Sequence, residues 1–144
     1  MLPHRSPLSA LAAYTGRFLQ CPRNAVINSL KPNLDEDKLI IFMSLLEKYT
    51  VSHIKILEFF NNPKRHDGVD EFRYMMGSPT QVLFDVYPDL NTPLFKKMYD
   101  DLYIDGMVST ENLNTTMTGS GMVQKRTTDL GDDFLRFVMD KGNL

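Results

Sequence analysis

Residues 78–128 read SPTQVLFDVYPDLNTPLFKKMYDDLYIDGMVSTENLNTTMTGSGMVQKRTT, and the order of caps, apolar stripes and turns along them decides the fold. Ser78-Pro79 pairs an N-cap with proline at the first helical position, where the missing N–H costs nothing. Val82, Leu83 and Val86 make a short apolar stripe that Pro88 stops. Pro88-Asp89-Leu90-Asn91 supplies a turn, and Thr92-Pro93 repeats the cap-and-proline device to open a second helix. On that helix Leu94, Phe95, Met98, Tyr99 and Leu102 are placed to face a core, and Gly106 provides a left-handed C-terminal residue. Met107-Val108 enters a strand, Gly119-Ser120-Gly121 forms a hairpin tip, and Met122 to Arg126 returns as the second strand. Thr128 caps a closing helix carrying Leu130, Phe134, Leu135, Phe137 and Val138, with Gly142 just past its end. Two short helices in a tight turn, a hairpin and a closing helix are the order of a winged helix-turn-helix. The expected fold class is mainly α with a small β-hairpin.

Upstream the pattern is helical. Asp35, Glu36 and Asp37 suit the positive end of a helix dipole, and Leu39, Ile40, Phe42, Met43, Leu45 and Leu46 form a broad apolar face after them. Thr50 or Ser52 caps a further helix with Ile54, Ile56, Leu57, Phe59 and Phe60, which Asn61-Asn62-Pro63 ends. Lys64 to Gly77 is polar, with Phe72, Tyr74, Met75 and Met76 as its anchors. Met1 to Pro7 is an aperiodic arm, and Leu8 to Leu19 and Asn24 to Leu30 are short helices punctuated by Pro22 and Pro32. Residues 1–34 are therefore expected to be a basic N-terminal arm with short helices, and residues 35–144 the winged-helix-like domain.

At 144 residues the chain has the length of one ordinary domain, able to bury about two thirds of its unfolded surface. The one cysteine, Cys21, cannot form an internal disulfide, which favours a reducing compartment. Arg17 interrupts the short apolar run from Leu8 and no small-residue cleavage site follows, against a secretion signal. A cytoplasmic protein without a membrane span is expected. Charge is unevenly spread: residues 1–34 carry four basic side chains and no acid, whereas residues 78–144 carry six basic and ten acidic ones, a net of −4. Phosphate-neutralising faces ordinarily show the opposite sign.

The runs Arg23-Asn24-Ala25-Val26, Leu45-Leu46-Glu47-Lys48-Tyr49-Thr50-Val51-Ser52-His53-Ile54-Lys55-Ile56-Leu57 and Met117-Thr118-Gly119-Ser120-Gly121 resemble segments of a family of uncharacterised bacterial proteins. So does Arg126-Thr127-Thr128-Asp129-Leu130-Gly131-Asp132-Asp133-Phe134-Leu135-Arg136-Phe137. The resemblance covers roughly residues 23–138 and implies members with longer N-termini, of which this chain would be a C-terminal portion. It carries no activity. The Thr128 to Phe137 ending is also similar to the last helix of winged-helix regulators, without a functional residue to transfer.

Side chains capable of chemistry are scattered. His53 lies in the first turn of a helix, His66 beside Lys64 and Arg65, and His4 in the arm, so none has the paired spacing of a metal site. Cys21 has no histidine near it in sequence to act as base. Asp35-Glu36-Asp37 is better explained as a helix start than as a cation site. Gly119-Ser120-Gly121 lacks the Gly-Lys-Ser or Gly-Lys-Thr that a phosphate loop requires. Neither a catalytic group, a metal nor a cofactor is expected, and a non-catalytic binding role follows.

For double-stranded DNA, the second helix of the turn would enter the major groove and the wing would reach the backbone. The contact candidates are Lys96, Lys97 and Tyr103 on the helix and Thr115, Thr116, Thr118, Lys125 and Arg126 in the wing. Against this, Lys96 with Asp100 and Lys97 with Asp101 are self-cancelling i,i+4 pairs. No arginine, asparagine or glutamine lies within Pro93 to Asp105 to read a base edge. The alternative is a protein–protein or dimerisation module, using Tyr99 and Tyr103 or the helix from Asp35 to Tyr49.

Overall fold

Burial of the apolar stripes produces seven α-helices among the described residues of the computed structural model, which are Phe18 and residues 20–140. They are α1 (Cys21–Ser29), α2 (Glu36–Lys48), α3 (Val51–Asn61), α4 (Pro79–Val86), α5 (Phe95–Ile104), α6 (Gly119–Met122) and α7 (Asp129–Met139). Two short strands, β1 (Met76–Gly77) and β2 (Met117–Thr118), pair antiparallel with Met76 opposite Thr118. Compactness divides the chain into unit 1, Met1–Ile54 with Asp133–Leu144, and unit 2, Lys55–Asp132. The sequence pattern places its single boundary at residue 34 instead. The arm, the Leu8 to Leu19 helix apart from Phe18, and Gly142 lie outside the described residues.

Unit 1 is built on aromatic contacts. Asp35 caps α2 by accepting from the Lys38 N–H at 3.1 Å. Phe42 from α2 meets Phe134 edge-on and Phe137 at a tilt, each at 5.4 Å, and Tyr49 meets Phe134 at 5.6 Å. Asn24 and Asn28 on α1 are both buried and donate their amide N–H groups to α7 carbonyls, Asn24 to Val138 at 3.1 Å and Asn28 to Phe137 at 2.9 Å. These bonds satisfy carbonyls that a helix C-terminus leaves without intrahelical donors. The buried stripe of α2 is narrower than its apolar composition suggests: Phe42 and Leu45 are buried, while Ile40 and Ile41 are half exposed.

Unit 2 has the α3 segment Ile56, Leu57, Phe59 and Phe60 at its centre, all fully buried. Ser78 and Gln81 form a capping box at the start of α4, Pro79 occupies the first turn, and a 3₁₀ turn follows at Pro88–Leu90. Thr92-Pro93 opens only a turn, and α5 begins two residues later, at Phe95. Its C-terminus is a Schellman motif: Gly106 has φ +77°, its N–H reaches the Tyr103 carbonyl at 3.0 Å, and the Met107 N–H reaches that of Leu102 at 2.9 Å.

The expected hairpin is replaced by a different arrangement. Met107 to Ser109 does run antiparallel to Arg126–Thr128, through a Val108–Thr127 bridge and the Ser109 N–H bond to the Arg126 carbonyl at 2.9 Å. However, Gly119-Ser120-Gly121 is not a tip; it is the body of α6, capped by Thr118. Residues 117–118 pair with β1, about forty positions earlier, rather than with Met122 to Arg126. The cause is close approach: a Cβ on Gly119 would lie 2.0 Å from the Tyr74 carbonyl oxygen and 2.2 Å from that of Glu71. Only a bare α-carbon can seat this segment against the 71–74 backbone. In the same region Phe72, Met75 and Met76 are exposed and do not anchor Lys64 to Gly77; Val69 is the buried side chain there.

Candidate nucleic-acid interface

The outer face of α5 places Lys96, Lys97, Asp100 and Tyr103 on the surface of unit 2. Lys96 pairs with Asp100 at 2.8 Å and Lys97 with Asp101 at 2.5 Å, so the self-cancellation expected from their spacing is realised. Lys96 and Lys97 remain 82% and 71% exposed, which leaves both ammonium groups within reach of a partner. An exposed pair such as Lys96–Asp100 is worth at most about 1 kcal/mol and exchanges partners readily, whereas Asp101 is buried, so Lys97 is the more firmly held of the two lysines. Tyr103 is partly exposed, and Thr115, Thr116 and Thr118 are exposed on the excursion between residues 109 and 126.

Arg126 is a correction. It is 7% exposed, and its guanidinium donates to Thr110 Oγ1 at 3.0 Å, to the Gly121 carbonyl at 2.7 Å and toward Met117 Sδ at 3.1 Å. Burial depresses its pKa. It ties the two ends of the excursion together from inside and is not presented to a phosphate. Lys125 is exposed but bonded to Asp132 at 2.7 Å.

Asp132 organises the start of α7. Its carboxylate accepts from Lys125, from Thr127 Oγ1 at 2.5 Å and from Asn61 Nδ2 at 2.7 Å. Burial alone would raise its pKa, but these donors together outweigh that and hold it below the ordinary value of 3.8. A carboxyl depressed in the folded state contributes its stability in full above that ordinary value and loses it as pH falls through the depressed one. The destabilisation caused by Asp132→Asn is therefore expected to be larger at pH 7 than at pH 3. Urea midpoints of the two proteins at both pH values check this; an unchanged gap would remove Asp132 from the acid response.

Beside α5 runs an open groove of about 890 Å³ that the sequence does not announce. Phe84 and Phe95 meet edge-on in it at 5.0 Å, and Phe95 stacks on Tyr99 at 6.1 Å. The Tyr99 hydroxyl donates to the Thr110 carbonyl, and burial raises its pKa, so it stays a donor. On the far side Leu113 is buried, and its neighbours Asn112 and Asn114 line the groove, as does Asn91 from the turn. The Asn114 N–H bond to Asn112 Oδ1, 2.8 Å, shapes this loop. These three asparagines place side-chain amides beside α5, a group that Pro93 to Asp105 itself does not contain. A single apolar residue between two asparagines, in an otherwise polar run, is the local signal for them.

Among the described residues no group of three or more histidine, cysteine or acidic side chains could hold a metal ion, and no helix is long and apolar enough to cross a membrane. No family model, curated protein or solved structure matches the chain.

Proposed function

We propose that the protein is a non-catalytic binding module in which unit 2 is of winged helix-turn-helix type and α5 carries the contact surface. The observation that carries this reading is the order β1, α4, tight turn, α5, then two antiparallel segments enclosing an excursion and leading into α7. Duplex DNA is the partner this order suits. Lys96 would leave Asp100 for a phosphate, the 71% exposed Lys97 would reach one while still paired with the buried Asp101, and Asn91, Asn112 and Asn114 would offer amides beside them. Binding of a mixed-sequence duplex followed by fluorescence anisotropy should then weaken steeply with salt. Replacing both lysines, Lys96→Glu with Lys97→Glu, should lower affinity by about tenfold or more at low ionic strength.

A second reading is a protein–protein module. It is supported by the acidic surplus of unit 2, which has eight basic and twelve acidic side chains, and by Leu94 and Ile104, 66% and 78% exposed at the two ends of α5. Absence of any salt-sensitive DNA binding by the unsubstituted protein would reject the first reading and leave this one.

A further inference from the structure

Unit 1 leaves two helix faces uncovered. On α1 the buried row is Cys21, Asn24, Ala25 and Asn28, and the opposite row is Arg23, Val26 and Ile27, with Leu30 at its end. On α2, Phe42 and Leu45 turn inward, and Ile40 and Ile41 lie on the exposed side. Leu30 is 80% exposed, and Val26, Ile40 and Ile41 are each at least half exposed. A single exposed aliphatic is ordinary, but five on the outer rows of two consecutive helices mark a contact surface.

The two faces carry opposite charge. α1 contains Arg23 and no acid, whereas the exposed side of α2 has Glu36, Asp37 and Glu47 against Lys48, because Lys38 is turned to Asp133 at 2.8 Å. Among the described residues, Arg23 and those three carboxylates form no ion pair. The rows also match in spacing: Arg23, Val26 with Ile27, and Leu30 recur at the same intervals as Asp37, Ile40 with Ile41, and Ser44. Laid side by side in the same direction, Arg23 meets Asp37; laid in opposite directions, it meets Glu47 and Leu30 meets Ile40.

Both rows are exposed in one chain, so they do not cover each other there. A two-fold pair would bring α1 of each copy onto α2 of the other and cover both rows at once, which is an isologous contact. We propose that the chain forms a homodimer of this kind through unit 1. The aliphatic side chains supply the burial, and the charges select the pairing, since α2 against α2 would oppose two acidic faces. Short helix pairs bury less than a permanent dimer requires, so the association is reversible and depends on concentration. The contact lies in unit 1 and does not depend on what α5 binds.

Sedimentation equilibrium of the full chain over a wide concentration range should show monomer and dimer. Leu30→Glu and Ile40→Glu, both at exposed positions, should each raise Kd by about tenfold or more with circular dichroism unchanged, because each places a charge in the buried centre of the contact. Phe72→Glu, equally exposed but in unit 2, should leave Kd unchanged. A charge exchange tests the pairing itself. Arg23→Glu alone and Asp37→Lys with Glu47→Lys should each weaken the homodimer, and an equimolar mixture of these two variants should dimerise again, since both contacts then join opposite charges. A chain monomeric at every concentration, a dimer insensitive to Leu30→Glu and Ile40→Glu, one broken by Leu94→Glu in their place, or charge variants that pair no better mixed than alone would each overturn the proposal.

Discussion

Phe134→Ala is expected to cost about 3–5 kcal/mol, the range for removing a fully buried phenylalanine from a packed core. Phe134 has no exposed surface, meets the ring of Phe42 edge-on at 5.4 Å and that of Tyr49 at 5.6 Å, and lies on the same helix as Phe137, which contacts Phe42 from another side. Truncation would remove both edge-to-face contacts and leave a void that Phe42, held also by Phe137, cannot collapse to fill. In a protein of this size the loss should appear as a fall in Tm of about 10 °C or more. Phe134→Leu, which retains most of the apolar volume, should cost less than half as much. Thermal denaturation of the three proteins checks the order; similar Tm values for the alanine and leucine variants would show that ring packing is not what Phe134 contributes.

The second large effect is expected at Gly131, where two physical terms oppose each other. Gly131 lies in the first turn of α7, and helix propensity alone would favour alanine by about 1 kcal/mol. A Cβ there, however, would lie 2.2 Å from the Met107 carbonyl oxygen and 3.1 Å from its carbon. Those are backbone atoms, and the same carbonyl accepts the Thr128 N–H at 3.0 Å, so it cannot swing away without breaking that bond. Thr128 Oγ1 in turn donates to the Gly106 carbonyl at 2.5 Å and accepts from the Gly131 N–H at 3.0 Å. Steric exclusion should win, with a net loss of about 3 kcal/mol, at the upper end of typical overpacking costs. Gly131→Ala is thus expected to lower Tm, whereas a substitution governed by helix propensity would raise it. The sign of the shift decides between the two.

These two positions also illustrate what can be read from local pattern. Phe134 and Phe137 stand out as an apolar helix face, and Thr128 as its cap, without any knowledge of their partners. The same holds for Ser78 with Gln81, for Asp35, and for Gly106, because a cap and a left-handed residue act within one turn of the backbone. Leu130 belongs to the same apolar pattern, yet it is partly exposed, since the buried stripe of α7 begins at Gly131 and Phe134. The i,i+4 pairing of Lys96 and Lys97 with Asp100 and Asp101 is equally local and was legible from spacing.

The candidate site was legible only in part, for the complementary reason. That Arg126 turns inward depends on Thr110 and Gly121, side chain and carbonyl respectively, which no spacing rule joins to it. The groove beside α5 exists because Leu113 is buried and carries Asn112 and Asn114 with it, and α1 is tied to the end of α7 because Asn28 reaches carbonyls more than a hundred positions later in the chain.

The sequence by itself determined most of the helical segments and where most of them start and stop, since each of these follows from interactions spanning a few residues. The tertiary structure alone decided that Gly119 to Gly121 coils instead of turning a hairpin, that β2 pairs with β1, and which basic side chains face solvent. Those outcomes rest on contacts between distant segments, where the presence or absence of one Cβ or one acceptor carbonyl outweighs local preference.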